Sequence, residues 1–260
     1  MPPIVADGFS DETSESESEG SDLTSMSSSA LQMPNDEEEQ DRMDLAHHMS
    51  ASPSLPYSPS PALLTPTNRW LMLMKCELFE APVTHPQKIL DLGTGTGIWG
   101  IDIAHSQKRM SLATISAPSN QPNWVAPSLE FIVEDFEDEW LYPPNNFDFI
   151  HARLLAGCVA DWPKFIQKIY THLKPGGYFE IQESAVWVWS DDGTLPADSA
   201  MLHYVQALNA VGRASSRELN IYDKLHDWLV DAGFEDFSQF TYPLPYSPWP
   251  RDLYHKEIDR

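Results

Sequence analysis

Lys88-Ile89-Leu90-Asp91-Leu92-Gly93-Thr94-Gly95-Thr96-Gly97-Ile98-Trp99-Gly100-Ile101-Asp102-Ile103-Ala104 is the stretch that decides the fold. It opens with a short apolar run closed by Asp91-Leu92, the pattern of a buried parallel strand. Gly93, Gly95 and Gly97, on alternate residues, let the backbone turn sharply and come close to a ligand. Ile98, Ile101, Ile103 and Ala104 follow at spacing compatible with a helix. A strand, a glycine bend and a helix N-terminus direct free N–H groups and a positive dipole end at one point. The stretch therefore predicts a cofactor site.

Two cofactor classes fit such a bend. Gly95-x-Gly97-x-x-Gly100 satisfies the dinucleotide pattern. Asp91-x-Gly93-x-Gly95-x-Gly97 instead places an acid just ahead of the first glycine. An NAD pyrophosphate gains nothing from a carboxylate there. S-adenosylmethionine (SAM) has no phosphate and carries an ammonium and a sulfonium, so an adjacent acid helps it. A bend that binds nothing would carry its three glycines at roughly 0.5–1 kcal/mol each in backbone entropy.

The chain has 260 residues, enough for one α/β domain and a tail, and a net charge of −23. Residues 1–60 hold thirteen acids and one base, Arg42, so about half of that excess lies in the first quarter. This balance argues against direct binding to a nucleic-acid backbone, which needs clustered Lys and Arg. Cys76 and Cys158 are too few and too far apart for a metal site or a disulfide framework, and fit a reducing compartment. With no leader pattern and no membrane-length apolar run, the chain reads as soluble, in the cytoplasm or the nucleus.

Residues 1–35, centred on Ser14-Glu15-Ser16-Glu17-Ser18-Glu19, cannot bury enough apolar surface to order themselves and read as a disordered acidic tail. Residues 36–80 read as a helical lead-in, with helices over 36–49 and 70–79. The Ser-rich stretch 50–68, with Pro53, Pro56, Pro59, Pro61 and Pro66, interrupts it. Residues 81–260 form the main domain. Strands are expected near 110–115, at 129–133, at 147–153, at 178–183 and near 237–240. Asp161 should cap a helix with Pro163 in its first turn and Phe165, Ile166, Ile169, Tyr170 and Leu173 on one face. Further helices are expected over 199–213 and 221–231, the latter closed by Gly233. This alternation implies a doubly wound, mainly parallel, Rossmann-like α/β sheet, whose ligands sit beyond the carboxyl ends of its strands. Those ends bring Asp91 to Gly97, Ser116, Glu134 to Phe136, His151 to Arg153 and Glu183 to one crevice.

Several further motifs join the glycine bend: Gln40-Asp41-Arg42-Met43-Asp44-Leu45-Ala46-His47-His48, Gln121-Pro122-Asn123-Trp124, Phe147-Asp148-Phe149-Ile150-His151-Ala152-Arg153 and Asp161-Trp162-Pro163. Leu173-Lys174-Pro175-Gly176-Gly177-Tyr178, Ser190-Asp191-Asp192-Gly193-Thr194-Leu195 and Pro248-Trp249-Pro250 complete the set. Over residues 36–49 and 70–256 the chain resembles the class I SAM-dependent methyltransferases, and within them the fungal LaeA-like family. The resemblance implies SAM as cofactor and methyl transfer to a small secondary metabolite or a protein, in the setting of secondary metabolism. By position, Asp91, Leu92, Gly93, Thr94, Gly95, Thr96 and Gly97 would hold the methionine end of SAM. Asp135 and Phe136, after Glu134, would meet the adenine. His151 and Arg153 would lie near the transferred methyl or the substrate entrance, with His151 the candidate base and no metal involved. Velvet-domain proteins are the partners the family implies.

The chain departs from the family in three places. Ser116 stands where the family has an acid that grips the ribose, a difference of roughly 1.5–3 kcal/mol of charge-assisted contact. The spacing around it is kept while the residues differ, as a compensated frameshift across 113–120 would leave them. The 50–68 stretch interrupts the lead-in, and the chain stops at Arg260, where the family's last strand is missing. An inactive scaffold in a velvet-type nuclear complex is the alternative reading, and an NAD-dependent oxidoreductase the remote one.

Overall fold

The computed structural model describes Met74 and residues 77–107, 110–115 and 127–243. The tail, the helix expected over 36–49, the 50–68 stretch, Ser116, Gln121-Trp124 and Pro248-Pro250 lie outside the described residues. The elements run β1 (Lys88–Leu92), α1 (Ile98–Gln107), β2 (Met110–Ile115), β3 (Leu129–Val133), β4 (Phe147–Arg153), α2 (Trp162–His172), β5 (Leu173–Gln182), α3 (Ala200–Ala214) and α4 (Leu225–Ala232). The sheet order is β3-β2-β1-β4-β5, and every neighbouring pair is parallel. The winding reverses between β1 and β4. Their carboxyl ends are therefore the switch point at which sheets of this kind hold ligands.

Both faces of β1 are covered, which is why its sequence is apolar throughout. Leu90 and Leu92 pack with Ile150 and Ala152 of β4 against Phe165, Ile166 and Ile169 of α2. Ile89 packs on the other face with Phe149, Trp99 and Ile103, and the segment Leu78–Val83 lies over them. Asp91 and His151 share that second face by the two-residue period of the strands, and they are register partners.

Helix α2 starts as its sequence requires. Asp161 accepts from Lys164 N at 3.0 Å, and Pro163 sits in the first turn, where a missing N–H is harmless. Trp162, Phe165, Ile166, Ile169 and His172 form its inner face. Tyr170, expected to face inward, falls beside that stripe and is 43% exposed, its ring edge-on to Phe234 at 5.1 Å. Strand β5 follows α2 without a connecting loop. Leu173 pairs with Phe147 and the ladder resumes at Tyr178 opposite Phe149, so Lys174–Gly177 form an irregular excursion between them.

Three expectations are corrected. No strand forms over 237–240: these residues are irregular, and Phe237 and Phe240 are exposed. Among the described residues the sheet ends at β5, and an extended segment with no neighbour in the ladder gains no strand bonds. The lead-in helix does not reach Phe79. Leu78 gives its carbonyl to Trp99 Nε1 at 2.9 Å, and the N–H groups of Glu80 and Ala81 bond the Glu180 carboxylate at 2.8 and 2.7 Å. Tertiary bonds to α1 and β5 thus replace helical ones. The helix expected from Ile221 begins at Leu225, after a turn, and ends at Gly233 in the left-handed conformation with φ 103°.

Candidate functional site

The site is built around a buried acid. Asp91, the fourth residue of β1, is 3% exposed, and Oδ1 accepts from His151 Nδ1 at 2.7 Å. The His151 ring is fully buried and lies flat on Trp99, with centroids 3.8 Å apart and planes 3° from parallel. Trp99 is fixed in turn by its bond to Leu78. A nitrogen facing a carboxylate is the one that carries the hydrogen, so Nε2 points away from Asp91. Nε2 is buried and meets no hydrogen-bond partner among the described residues. Arg153, two residues further along β4, feels the same acid: burial pulls its guanidinium down, and the charge of Asp91 opposes that pull.

The bend follows directly. Gly93, Gly95 and Gly97 have φ of 65°, 60° and 83°, a region that side-chain-bearing residues rarely adopt. A Cβ at Gly93 would come within 2.5 Å of Leu155, and one at Gly97 within 2.3 Å of the Phe131 ring. Gly97 N closes the turn on Thr94 O at 3.0 Å, and Gly97 O starts α1 by accepting from Ile101 N. Thr94 and Thr96 are buried, and Thr94 Oγ1 has no partner among the described residues. Leu92 serves the core.

The loop after β3 borders the bend through Phe136, whose ring would stand 3.7 Å from a Cβ at Gly93 and packs on Phe165 at 5.5 Å. Asp135 is exposed. One of its oxygens accepts from Glu137 N at 2.8 Å. The charge of Glu134, after burial itself, helps push the Tyr142 phenol up to about 12. The bend, Phe136, His151 and Arg153 thus come together, and the charge of Glu134 is felt at Tyr142.

Glu183, just beyond β5, joins them from the far side. Its Oε1 accepts from Leu155 N at 2.6 Å and Ala156 N at 3.1 Å, and Leu155 is the residue that backs Gly93. Its Oε2 is buried without a partner among the described residues. Burial pushes the carboxyl up to about 7 against those two N–H bonds. Trp187 and Trp189, a few residues beyond Glu183, are both exposed, and Val188 between them turns inward. Sequence reasoning missed Trp99 and Leu155 as walls of the site. The alternation of β4 gave a signal for neither, because each meets the site from a different element.

This arrangement suits a ligand with a cationic end and a flat aromatic end. The acid lies at the mouth of the bend, Thr94 Oγ1 and His151 Nε2 have no partner among the described residues, and Phe136 offers a ring beside Gly93. Among the described residues no group of His, Cys, Asp and Glu is arranged for a metal ion, and no helix is long and apolar enough to cross a membrane.

Comparison with known proteins agrees with this geometry. A family model described as a methyltransferase domain matches residues 32–239. Methyltransferase pytC of Aspergillus terreus is 35% identical over 227 residues, covering 86% of this chain and 63% of pytC. The secondary metabolism regulator LAE1 of Cochliobolus heterostrophus is 34% identical over 233 residues, covering 87% of this chain and 69% of LAE1. The protein-methionine methyltransferase laeA of Emericella nidulans is 31% identical over 235 residues, covering 88% of this chain and 56% of laeA. The chain therefore spans just over half to about two thirds of the length of these relatives.

Proposed function

The chain belongs to the LaeA-like family of fungal methyltransferases, and from that premise we propose that it transfers a methyl group from SAM to a small secondary metabolite or a protein. The observation that carries this reading is Asp91, a buried carboxylate held by His151 at the entrance of a bend of three left-handed glycines. Asp91 and residues 93–97 hold the methionine end, and Asp135 and Phe136 the adenine. SAM supplies a methyl group already activated on a sulfonium. The protein's work is then to align the acceptor in line and to keep water out.

His151 was the sequence's candidate base. Its Nδ1 is held by Asp91 and one ring face by Trp99, which leaves Nε2 as the nitrogen able to take a proton from an acceptor that arrives protonated. The relative named for methionine methylation acts on a thioether, which has no proton to lose, so a protein acceptor of that kind needs no base. Association with velvet-domain proteins, and residence in the nucleus or cytoplasm, belong to this proposal. Ser116, in place of a ribose-binding acid, supports a second reading, a methyltransferase-fold scaffold without turnover.

Calorimetric titration of the full chain with SAM and with S-adenosylhomocysteine tests the donor site. Binding of both, abolished by Asp91→Ala, is the expected result. Well-folded protein that ignores both at millimolar concentration would refute the proposal. Binding without methyl loss in the presence of recovered partners and metabolite extract would favour the scaffold.

A further inference from the structure

Lys168 lies on α2, outside every motif considered above, yet it reaches the loop that borders the glycine bend. Its ammonium donates to three successive carbonyls: Phe136 O at 3.1 Å, Glu137 O at 2.8 Å and Asp138 O at 2.6 Å. A lysine has three N–H donors, and here each has an acceptor. Phe136 O takes a second bond, from Trp140 Nε1 at 3.0 Å, and the ammonium lies 5.4 Å from the centre of that indole ring. Phe165, one turn earlier on the same helix, packs against the Phe136 ring. One face of α2 thus holds Phe136 at both its ring and its carbonyl.

Three carbonyl dipoles aimed at one point repel one another unless a cation sits there. Burial and Lys164 draw the Lys168 ammonium down from its ordinary value, and the charges of Glu137, Asp135 and Asp138 oppose them. The three carbonyls turn toward the ammonium, and the Phe136 ring is left beside Gly93 at the bend. A second tie holds the end of the loop: Glu137 accepts from Ala160 N at 2.7 Å and pairs with Arg217. That tie acts on a side chain, whereas Lys168 sets the direction of the backbone itself.

We propose that Lys168 is a positioning residue for the adenosine half of the cofactor, fixing the 135–138 loop in its binding conformation before the ligand arrives. The inference rests on the SAM reading of the site. Without the ammonium the three carbonyls rotate out to water, and binding must first restore the loop, which weakens the affinity.

The test compares the full-length chain with Lys168→Met and Lys168→Arg, titrated calorimetrically with S-adenosylhomocysteine and with adenosine well below every thermal midpoint. Lys168→Met is expected to weaken both ligands by the same factor, about tenfold, equal to about 1.4 kcal/mol. Lys168→Arg, which keeps a cation under the loop, should recover most of that loss. Amide exchange at Phe136–Asp138 in the ligand-free protein should quicken in Lys168→Met and not in Lys168→Arg. A lowered thermal midpoint with both affinities within about twofold of wild type would make Lys168 merely structural and overturn the proposal. If wild type binds neither ligand, the SAM reading falls and takes this inference with it. If wild type binds and Lys168→Met binds equally well, only this inference falls.

Discussion

Replacing Glu183 by Gln should stabilise the protein, and the gain should grow with pH. The carboxyl has an ordinary value of 4.5 and is pushed up to about 7 in the folded chain, burial outweighing the bonds from Leu155 and Ala156. A raised folded value means that the native state holds a proton which the unfolded chain has released. The group's effect on stability is therefore neutral below pH 4.5, turns unfavourable as pH rises, and reaches its full size above 7. At about 1.36 kcal/mol per pH unit, the penalty is about 1 kcal/mol at pH 5 and about 3 kcal/mol at pH 8. Gln keeps an oxygen for the two N–H groups and never ionises. Urea denaturation of both proteins at pH 5, 6.5 and 8 measures the difference directly. The advantage of Glu183→Gln should increase by about 2 kcal/mol from pH 5 to pH 8, whatever constant offset the amide introduces. A difference that stays flat across that range would mean that Glu183 is solvated in the native protein, and the argument from its burial would fail.

Three other perturbations read different parts of the site. Gly97→Ala places a Cβ at φ 83° and 2.3 Å from the Phe131 ring, so urea denaturation should show a loss of at least about 2 kcal/mol. His151→Phe keeps the stack on Trp99 and removes the hydrogen bond to Asp91. Calorimetry should find S-adenosylhomocysteine bound at least about tenfold more weakly, and unchanged affinity would show that Asp91 needs no partner to hold its place. Trp99→Phe deletes the bond to Leu78 O, worth about 1 kcal/mol, so cleavage by a glutamate-specific protease at Glu77 and Glu80 should become faster.

The parts of this molecule that could be read from its sequence are those governed by local rules. The strand ending at Leu92, the glycine bend, the Asp161 cap with Pro163 behind it, and Gly233 as a helix stop each depend on a few adjacent residues. Even β2, with its weak apolar pattern, formed at Met110–Ile115, because β1 and β3 on either side supply ladders for it. The misreadings came where distant partners decide. Glu77–Phe79 look helical alone, but the carbonyl of Leu78 goes to Trp99, twenty-one residues away in sequence. Phe237–Phe240 look like a strand but have no ladder to join among the described residues. In the site, the place of His151 at the end of β4 was legible. Its flat contact with Trp99 was not, since that depends on how α1 crosses the sheet.

Acidic composition acquires a structural meaning once the loops are traced. Away from the tail, carboxylates repeatedly accept from backbone N–H groups that no helix or ladder uses: Asp148 from Gln87 and Lys88, Glu180 from Glu80 and Ala81, Asp135 from Glu137, Glu137 from Ala160, and Asp192 from Thr194. Loops that run between sheet and helix must satisfy such groups somehow, and this chain does so with acids. Two of these acids show what the bonding does to ionisation. At Asp148, burial is outweighed by Lys174 and the N–H groups of Lys88 and Gln87, which hold the carboxyl low; at Asp192, the bonds from Ser190 and Thr194 bring it to about 2. Glu183 makes the same kind of bonds and moves the opposite way, because burial outweighs them and one of its oxygens is buried without a partner among the described residues. A capping role alone would be filled as well by a solvated acid. A carboxyl that burial raises to about 7 beside the glycine bend costs the fold stability, and the comparison with Glu183→Gln measures that cost.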